Sequence, residues 1–394
     1  MRILILGATG FIGNAIFHSL IKEYDIIIGG RTKIDGFEDW RKVDFLKEND
    51  FDPILEGVDL VINAVGIING DFKKVQTESP LELFKVCQRK RIKIINISAI
   101  GAEKDKPKTE FLRSKKVVDD FILSNTDGKV IYPGIVLGKN AQSTQFFKEL
   151  STLPVIPILG NKNLPLVHIS QLTDTIKTIV KDYYHSPKQV FALSEPETQK
   201  DIFNAMRKTK GNYVNIPISL VSFLFSIFPK LSIGIFNKNM FTMLLTTSPD
   251  DYEIKFEKAT TLLDRNHLVG SHSLLKMLGI FALSFIWLWS GIISLISWQQ
   301  SLHLMATIHV TNQFAGWFIC AGSFVDILLG ISILFKRVRQ NALLLQLIFI
   351  IIYTLILCVL APQFWTHPFG PLSKNIPLMA FIFIMYKWEK NYCL

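Results

Sequence analysis

Short apolar segments alternate with amphipathic ones through the first half of the chain. Residues 1–6 are almost entirely apolar, which is typical of a strand buried on both faces of a parallel sheet. Further strands are predicted at 25–28, 60–63, 93–97 and 129–132, with helices at 81–89 and 113–123 between them. This alternation favours an α/β fold with a doubly wound parallel sheet.

A smaller lobe is predicted to follow this sheet. Proline and glycine interrupt the periodicity at Pro154, Pro157, Gly160 and Pro165. A helix at 171–183, a strand at 189–193 and a helix at 197–209 come next. We interpret this part of the chain as the lobe that faces a substrate.

The apolar segment at 216–236 is interrupted by Pro229 and Lys230 after about a dozen residues, too few to span a bilayer. Two interpretations stay open, a cleft cap that touches lipid and a soluble helix. The charged stretch at 250–265 is interpreted as a connection. The predicted organisation is therefore 1–215 for the nucleotide-binding domain and its lobe, 216–267 for cap and linker, and 268–394 for a membrane domain.

Four apolar segments, at 274–297, 314–335, 342–361 and 376–388, predict a four-span helical bundle, the last span being short but sufficient if tilted. Basic residues stand at three of the helix ends, represented by Arg265, Lys336 and Lys387. The loops 298–313 and 362–375 hold almost none. By the positive-inside rule, the N-terminal domain and the C terminus are predicted to lie in the cytosol of a multi-pass protein, as in a bacterial inner membrane.

The net charge of +10 does not predict nucleic-acid binding, because many of the basic residues flank apolar runs and none form a cluster interleaved with aromatics. The four cysteines show no C-x-x-C pair and no ligand spacing with histidine, so no metal site is predicted. His303, His309 and His367 are irregularly spaced and are interpreted as interfacial side chains.

Three glycines, Gly7, Gly10 and Gly13, form G-x-x-G-x-x-G between the first strand and the first helix. In this position bare backbone can approach a pyrophosphate at the helix N-terminus. The motif predicts nucleotide binding. The alternative is a turn retained in a domain that has lost its ligand.

The second strand ends in Arg31, where proteins that prefer NAD commonly place an acid. A guanidinium there suits a 2′-phosphate, so NADP(H) is predicted over NAD(H), unless Arg31 is a solvated surface residue. Asp44 is predicted to accept a hydrogen bond from the adenine amine or, alternatively, to cap the next helix. The predicted cofactor contacts are Gly7, Thr9, Gly10, Phe11, Ile12, Gly13, Arg31, Asp44, Ala64, Val65, Gly66, Ser98, Lys115 and Pro133.

These motifs, with residues 98–101 and the pair at 114–115, resemble atypical short-chain dehydrogenase/reductases over about residues 1–210. The nearest branches are the NmrA-like proteins and the complex I accessory-subunit type. The resemblance implies that Ser98 contacts the reacting carbonyl and that Lys115 holds the nicotinamide ribose. The family's tyrosine, four residues before the lysine, is replaced by Phe111, which has no proton to give.

Two other side chains are considered as catalytic residues. Tyr132 lies on the strand after the helix that carries Lys115, and no spacing places its phenol over that lysine. His168 stands where the resemblance implies a hinge beside the cleft, and a catalytic imidazole is the less favoured interpretation.

The C-terminal part resembles the DoxX-like membrane family at residues 287–291 and 326–330, over about residues 268–390. Asp326 is the one acid within an apolar span, and a carboxylate at that depth is costly enough to suggest function. Gln346 is predicted at a similar depth as its bonding partner. The alternative is an acid that only fixes helix packing.

Together these features predict a membrane-bound, NADP(H)-binding oxidoreductase that passes hydride to a lipophilic or quinone-like acceptor reached through the segment 216–236. A quinone-like acceptor needs no tyrosine if water or Lys115 supplies protons. A non-catalytic nucleotide sensor or assembly module is the second hypothesis, which Phe111 favours. A sugar-nucleotide epimerase-like enzyme is the third, although it also relies on the missing tyrosine.

Overall fold

The computed structural model describes residues 1–33, 37–160, 162–207, 210–228, 232–233, 236–263, 273–310, 312–366 and 371–391. The sequence features at Pro229, Lys230, Arg265, His367 and Cys393 lie outside these ranges. The chain divides into two compact units, Met1–Ser271 and His272–Leu394. Each unit has its own hydrophobic core.

The first unit is built on a parallel sheet of seven strands, and its described residues also form four separate pairs of short strands. The strands, in chain order, are β1 (Arg2–Leu6), β2 (Asp25–Gly30), β3 (Trp40–Lys42), β4 (Leu60–Asn63), β5 (Lys93–Ile97), β6 (Lys129–Pro133), β7 (Ile135–Leu137), β8 (Val155–Ile158), β9 (Asn163–Leu164), β10 (Leu166–His168), β11 (Gln189–Ala192), β12 (Glu197–Thr198), β13 (Asn212–Asn215), β14 (Ser232–Ile233) and β15 (Phe236–Asn237). The strand order is β11-β6-β5-β4-β1-β2-β3. The chain thus enters the sheet at the inner strand β1 and adds strands toward both edges. The predicted Rossmann sheet is confirmed.

Nine α-helices accompany these strands among the described residues of the first unit. They are α1 (Phe11–Leu20), α2 (Phe51–Ile54), α3 (Ser79–Lys90), α4 (Glu110–Asn125), α5 (Gln142–Ser151), α6 (Ile169–Lys181), α7 (Gln199–Met206), α8 (Ile218–Ile227) and α9 (Lys238–Thr246). A π-helical turn, Lys74–Glu78, leads directly into α3.

Both faces of the sheet are covered, as the apolar strand sequences require. In β1, Leu4 and Leu6 pack into one core with α3 and α4. The intervening Ile3 and Ile5 pack into the opposite core with α1 and α6. The strand is therefore buried on both sides, as its sequence predicted.

The smaller lobe has a third core, in which α5 and α7 pack on β8 and β10. Residues 250–263 also join it, since Ala259 is fully buried there. Backbone bonds fix the same stretch, with the amide of Lys255 donating to Leu193 at 3.1 Å and that of Glu195 to Phe256 at 2.9 Å. The stretch that the sequence interprets as a connection between domains is thus bonded into the first unit as far as Leu263, the last residue described there.

The second unit consists of helices: α10 (Ser273–Ile296), α11 (Trp298–Thr307), α12 (Asn312–Ser332), α13 (Arg339–Leu360) and α14 (Asn375–Asn391). Among the described residues, three helical segments are long and apolar enough to cross a membrane: Leu275–Ile296, Phe314–Ser332 and Arg339–Leu360. The prediction of four spans is corrected to three, because α14 has 17 residues and ends in charged side chains.

Two features hold this bundle together. A Cβ on Gly291 would lie 2.7 Å from the carbonyl of Ser323, and one on Gly330 would lie 3.0 Å from the amide of Leu288, so α10 and α12 approach backbone to backbone. Glycines permit such close packing in membrane helices. At the end of α14, buried Glu389 ion-pairs with two basic residues that begin other helices.

Candidate functional site

The turn between β1 and α1 is shaped by its glycines. Gly7 has φ +81°, and a Cβ on Gly13 would lie 2.1 Å from the carbonyl oxygen of Gly7, so neither position accepts a side chain without a shift of the backbone. The Gly10 amide donates to that same carbonyl at 2.9 Å. Helix α1 begins at Phe11 without a side-chain cap. This bare helix start fits the pyrophosphate of a dinucleotide.

A cavity of about 440 Å³ lies beside this turn, walled mainly by apolar side chains. Nine of the predicted cofactor contacts line it: Gly10, Phe11, Ile12, Ala64, Val65, Gly66, Ser98, Lys115 and Pro133. Gly7 and Gly13 build the adjoining turn, whereas Thr9, Arg31 and Asp44 are outside the lining. The structure therefore brings residues from the ends of four strands to one cleft.

The roof of the cavity comes from α9, which the sequence did not predict. Met240, Met243 and Leu244 lie among the lining residues. The described residues of the segment 216–236, for which a cleft cap was one of the two interpretations, are not among the lining residues. Helix α8 of this segment instead packs against α9 through Phe225 and Phe241, whose ring centroids are 5.5 Å apart.

Lys115 is buried at the cavity wall and donates from Nζ to the carbonyl of Ile97 at 3.1 Å. Burial lowers the pKa of this amine, and the nearby carboxylate of Asp119 partly opposes the shift. The Nζ atom lies 5.8 Å from the ring centroid of Phe111, which also lines the cavity. A phenyl ring thus stands where the resemblance would place a phenol, and Lys115 is the charged side chain of the lining.

Ser98 belongs to a buried polar network that the sequence did not reveal. Its Oγ donates to Asp119 Oδ2, and Asn96 Nδ2 donates to Asp119 Oδ1 at 2.9 Å. Asn63 Nδ2 donates to Asn96 Oδ1 at 2.8 Å, while its own Oδ1 accepts the Val65 amide at 3.2 Å. The network therefore connects Ser98 with the loop that lines the cavity.

Burial raises the pKa of Asp119 to about 6, against the opposing effects of Ser98, Lys115 and Asn96. The only sequence signal for this residue is its spacing, since Asp119 follows Lys115 by four positions and so shares a helix face with it. Its neighbour Asp120 is exposed and pairs with Lys116.

The opposite cavity wall is held by Gln76 in the π-helical turn. Its Nε2 donates to Ser114 Oγ at 2.9 Å, and its Oε1 accepts the Ile67 amide at 2.9 Å. Side-chain bonds to the backbone thereby fix the loop at Gly66 beside Lys115.

Two predicted cofactor contacts lie outside the lining of the cavity. Arg31 is exposed just after β2. Asp44 is half-buried; its Oδ1 accepts the amide of Leu46 at 3.1 Å, and its amide donates to Asn49. The alternative interpretation, in which Asp44 caps the next helix, does not hold, because Asp50 caps α2 by accepting the amide of Asp52.

His168 and Tyr132 lie outside the cavity lining. His168 caps α6, because its Nδ1 accepts the Ser170 amide at 3.3 Å while its own amide donates to Gln171 Oε1. Burial lowers the pKa of this imidazole. Tyr132 is buried and stacks on Phe191 at 5.2 Å, and burial raises the pKa of its phenol. Both arrangements are structural.

Two families match separate parts of the chain. Residues 3–120 match the NAD dependent epimerase/dehydratase family, and residues 284–383 match the DoxX-like family. The resemblances stated from the sequence, to a short-chain dehydrogenase/reductase-like Rossmann domain in the first unit and to a DoxX-like domain in the second, are confirmed at this level. The apolar helices of the second unit are those expected of a membrane protein.

Solved structures of similar fold align with the Rossmann domain. UDP-N-acetylglucosamine 4-epimerase from Bacillus cereus is 18% identical, with 55% of this chain and 85% of that one covered and a TM-score of 0.46. L-threonine 3-dehydrogenase from Trypanosoma brucei is 14% identical, with 55% and 84% covered and a TM-score of 0.46. Similarity at this level says nothing about substrate. No curated protein matches the chain.

The DoxX-like unit contains a buried polar cluster around Asp326. Ser290 Oγ donates to Asp326 Oδ2 at 2.8 Å, whereas Gln346, the partner predicted from sequence, donates to the carbonyl of Leu329 at 3.2 Å. The other carboxylate oxygen, Asp326 Oδ1, is buried and has no hydrogen-bond partner among the described residues. The prediction that Gln346 bonds Asp326 is therefore corrected, because the serine of α10 is the residue that reaches it.

Proposed function

We propose that the protein is an NADP(H)-dependent oxidoreductase that reduces a lipophilic, quinone-like acceptor. The observation that carries the proposal is the cavity itself, whose walls are apolar and whose charged side chain is Lys115. Such a lining suits an acceptor with few polar groups. A polar sugar nucleotide would leave most of its hydroxyl groups unpaired against these walls.

The cofactor would be held by the residues that the sequence singled out. The backbone of the Gly7–Gly13 turn would receive the pyrophosphate, Lys115 the nicotinamide ribose, and Arg31 the 2′-phosphate that distinguishes NADP(H). A bound reduced nicotinamide supplies a hydride. The protein then has to deliver one proton to the reduced acceptor.

Lys115 is positioned to donate that proton to the reduced acceptor. Its Nζ lies at the cavity wall and its pKa is lowered by burial, so the amine releases a proton more readily than a solvated lysine does. Phe111 cannot take this role. Ser98 donates its one hydroxyl hydrogen to Asp119, so its Oγ would accept a hydrogen bond from the hydroxyl group of the reduced product.

Cofactor binding is tested by titrating NADPH and NADH into the full chain in detergent by calorimetry. Loss of charge-assisted hydrogen bonds in Arg31→Ala should weaken NADPH about tenfold to a hundredfold and leave NADH unchanged. Lys85→Ala, which removes an exposed charge from α3, is the matched control. Equal affinity of wild type for both cofactors would contradict the preference, and no binding of either would overturn the proposal.

Turnover is tested separately, by following NADPH oxidation with quinone analogues in detergent. Lys115→Met removes the amine but keeps the length of the side chain, and it should lower the rate at least a hundredfold. Oxidation at the wild-type rate in this variant would show that Lys115 has no part in the reaction.

A non-catalytic sensor or assembly module is the second candidate, and Phe111 favours it. Binding of NADPH without turnover of any acceptor would support this candidate. Phe111→Tyr restores a phenol near Lys115 and should create carbonyl reduction if the rest of the site is intact. Phe72→Tyr, at a ring packed 6.0 Å from Phe111 but outside the lining, is the control.

An epimerase is the third candidate, since the matching family and several solved structures of similar fold are epimerases. It ranks last, because Phe111 lacks the proton that this chemistry exchanges. Interconversion of a UDP-sugar by the wild-type protein would reverse this order.

We also propose that the N-terminal domain lies in the cytosol and that α14, although shorter than the three spanning segments, returns to the side of the bundle on which α10 begins. The support is the ion pairing of Glu389 with Lys276, at the start of α10, and with Arg339, at the start of α13, at 2.7 and 3.5 Å. Three helix ends therefore meet on one side of the bundle. Labelling of single cysteines introduced at Lys387 and Gln300 in oriented vesicles should mark opposite faces.

A further inference from the structure

Helix α8 presents an apolar surface that the first unit leaves exposed. Leu220, Phe223, Leu224 and Ile227 follow the spacing i, i+3, i+4, i+7 and therefore share one face. Phe223 is 60% exposed and Ile227 is 51% exposed. Exposed apolar stripes of this kind mark an interaction surface.

The opposite face of the helix is anchored. Phe225 is buried and packs on Phe236 and Phe241 at centroid distances of 5.9 and 5.5 Å. The exposed stripe is therefore not a frayed segment that fails to pack. It is held outward by an aromatic cluster shared with α9, the helix that roofs the cavity.

The charge of the sequence on either side of this stripe favours one kind of partner. Between Asp201 and Asp250 the chain contains no acidic residue, yet it carries five basic ones: Arg207, Lys208, Lys210, Lys230 and Lys238. A purely cationic segment suits an anionic lipid surface, where each basic residue adds to binding, and it disfavours apposition of a second copy with the same charge.

The length of α8 agrees with a helix that lies in the interface between water and the bilayer core. Ten residues extend about 15 Å, half of what a bilayer core requires. A short helix with an aromatic and aliphatic face buries that face at the boundary between headgroups and acyl chains. The same chain carries apolar helices long enough to span a membrane, so α8 is covalently tethered to a segment expected in the bilayer.

We propose that α8 docks the Rossmann domain on an anionic bilayer surface and that the acceptor enters the cavity from the lipid beneath α9. The docking stands on α8 alone, whereas the entry of an acceptor rests on the proposed function. Met240, Met243 and Leu244 of α9 both roof the cavity and adjoin the aromatic cluster. Contact with lipid at α8 thus places the roof of the cavity beside the bilayer.

The test of docking uses the full chain in vesicles of phosphatidylcholine and phosphatidylglycerol. A nitroxide is attached at Phe223→Cys in a background with Cys320, Cys358 and Cys393 changed to serine. Asp127→Cys, in an exposed turn of the same unit, is the matched control. Collision with oxygen, which partitions into lipid, is compared with collision with a water-soluble nickel chelate.

The expected result is an oxygen-to-nickel collision ratio several-fold higher at position 223 than at 127, with a fall at 223 when the vesicles contain phosphatidylcholine alone. Equal nickel access at both positions overturns the docking. Protection from both reagents, with dipolar broadening between labels, would instead mean that a second copy covers α8, which also overturns it.

Substrate entry is tested with the double variant Phe223→Glu/Ile227→Glu. Its turnover with an acceptor dissolved in the bilayer should fall several-fold, while turnover with a short, water-soluble analogue stays unchanged. Val117→Glu, at an exposed apolar position on α4, is the control. The spin labels report docking without turnover, so an inactive protein with a lipid-exposed label refutes the proposed function and leaves the docking intact.

Discussion

Among the residues that the structure describes, each unit of the protein buries one aspartate, and the two differ in their hydrogen bonding. In the Rossmann domain both carboxylate oxygens of Asp119 accept a hydrogen bond, one from Asn96 and one from Ser98. In the DoxX-like unit one oxygen of Asp326 accepts from Ser290, and the other has no partner among the described residues. The same residue type is thus fully bonded in one core and half bonded in the other.

The difference comes from the architecture around each carboxylate. A parallel sheet brings the ends of adjacent strands together, so Asn63, Asn96 and Ser98 converge on one helix face. Facing membrane helices offer mostly apolar side chains, and Asp326 finds only a serine one helix away. We infer that Asp119 stabilises its unit, whereas Asp326 contributes little to the stability of the bundle.

The largest expected effect is that of Asp119→Ala, which leaves Ser98, Asn96 and Lys115 buried without their partner. The free energy of unfolding of the first unit should fall by about 3 kcal/mol or more. Labelling of the buried thiol of Cys87 at pH 7, with the other cysteines changed to serine, reports opening of this unit. Asp120→Ala, one residue along but exposed, should cost less than about 1 kcal/mol. Equal losses would contradict the role of the network.

A smaller effect is expected from Asp119→Asn, and it should depend on pH. The pKa of Asp119 is raised to about 6, so the stabilisation that comes from its protonation is fully present below its ordinary pKa and is lost as pH rises through about 6, while its hydrogen bonds to Asn96 and Ser98 remain. The asparagine variant cannot ionise. Its thermal midpoint relative to wild type, followed by circular dichroism, should therefore rise between about pH 4 and 6 and stay level above. A constant difference across this range would mean that Asp119 does not titrate there.

The smallest effect is expected in the DoxX-like unit. Asp326→Asn keeps an acceptor for Ser290, and the second oxygen has no bond to lose, so stability should change by less than about 1 kcal/mol. Ser290→Ala should behave similarly. Tryptophan fluorescence during thermal unfolding in detergent follows this unit, because six of the seven tryptophans lie in it. A loss as large as that of Asp119→Ala would show that Asp326 has a partner or a role that its contacts do not reveal.

The parts of the fold that the sequence predicted are those with a local signal. The apolar strands, the glycine turn and the apolar helices can each be recognised from the pattern of consecutive residues. The turn and the strand ends were predicted to form a cofactor site, and Gly66, Ser98 and Lys115 do line one cavity.

Features that depend on tertiary contacts escaped the sequence. Asp119 looks like an ordinary acid on a solvated helix beside Asp120, and only its burial against β5 distinguishes it. Helix α9 has no pattern that links it to the cleft. Gln346 was predicted to bond Asp326 from depth alone, but the rotation of a helix about its axis decides which side chain reaches another, and Ser290 does so. The fourth span was predicted on the expectation that a short helix can cross if it is tilted, but α14 has 17 residues and ends in charged side chains.

The glycine contacts between α10 and α12 also bear on which helices of the bundle can shift against one another. Because Gly291 and Gly330 bring the two backbones together, any sliding or tilting of one helix against the other would drive main-chain atoms into each other. Relative sliding of α10 and α12 is therefore opposed at these two positions. Adaptation to bilayers of different thickness would have to come from helices that meet this pair through side chains, as α14 does where Met385 packs on Gly279 and Glu389 pairs with Lys276.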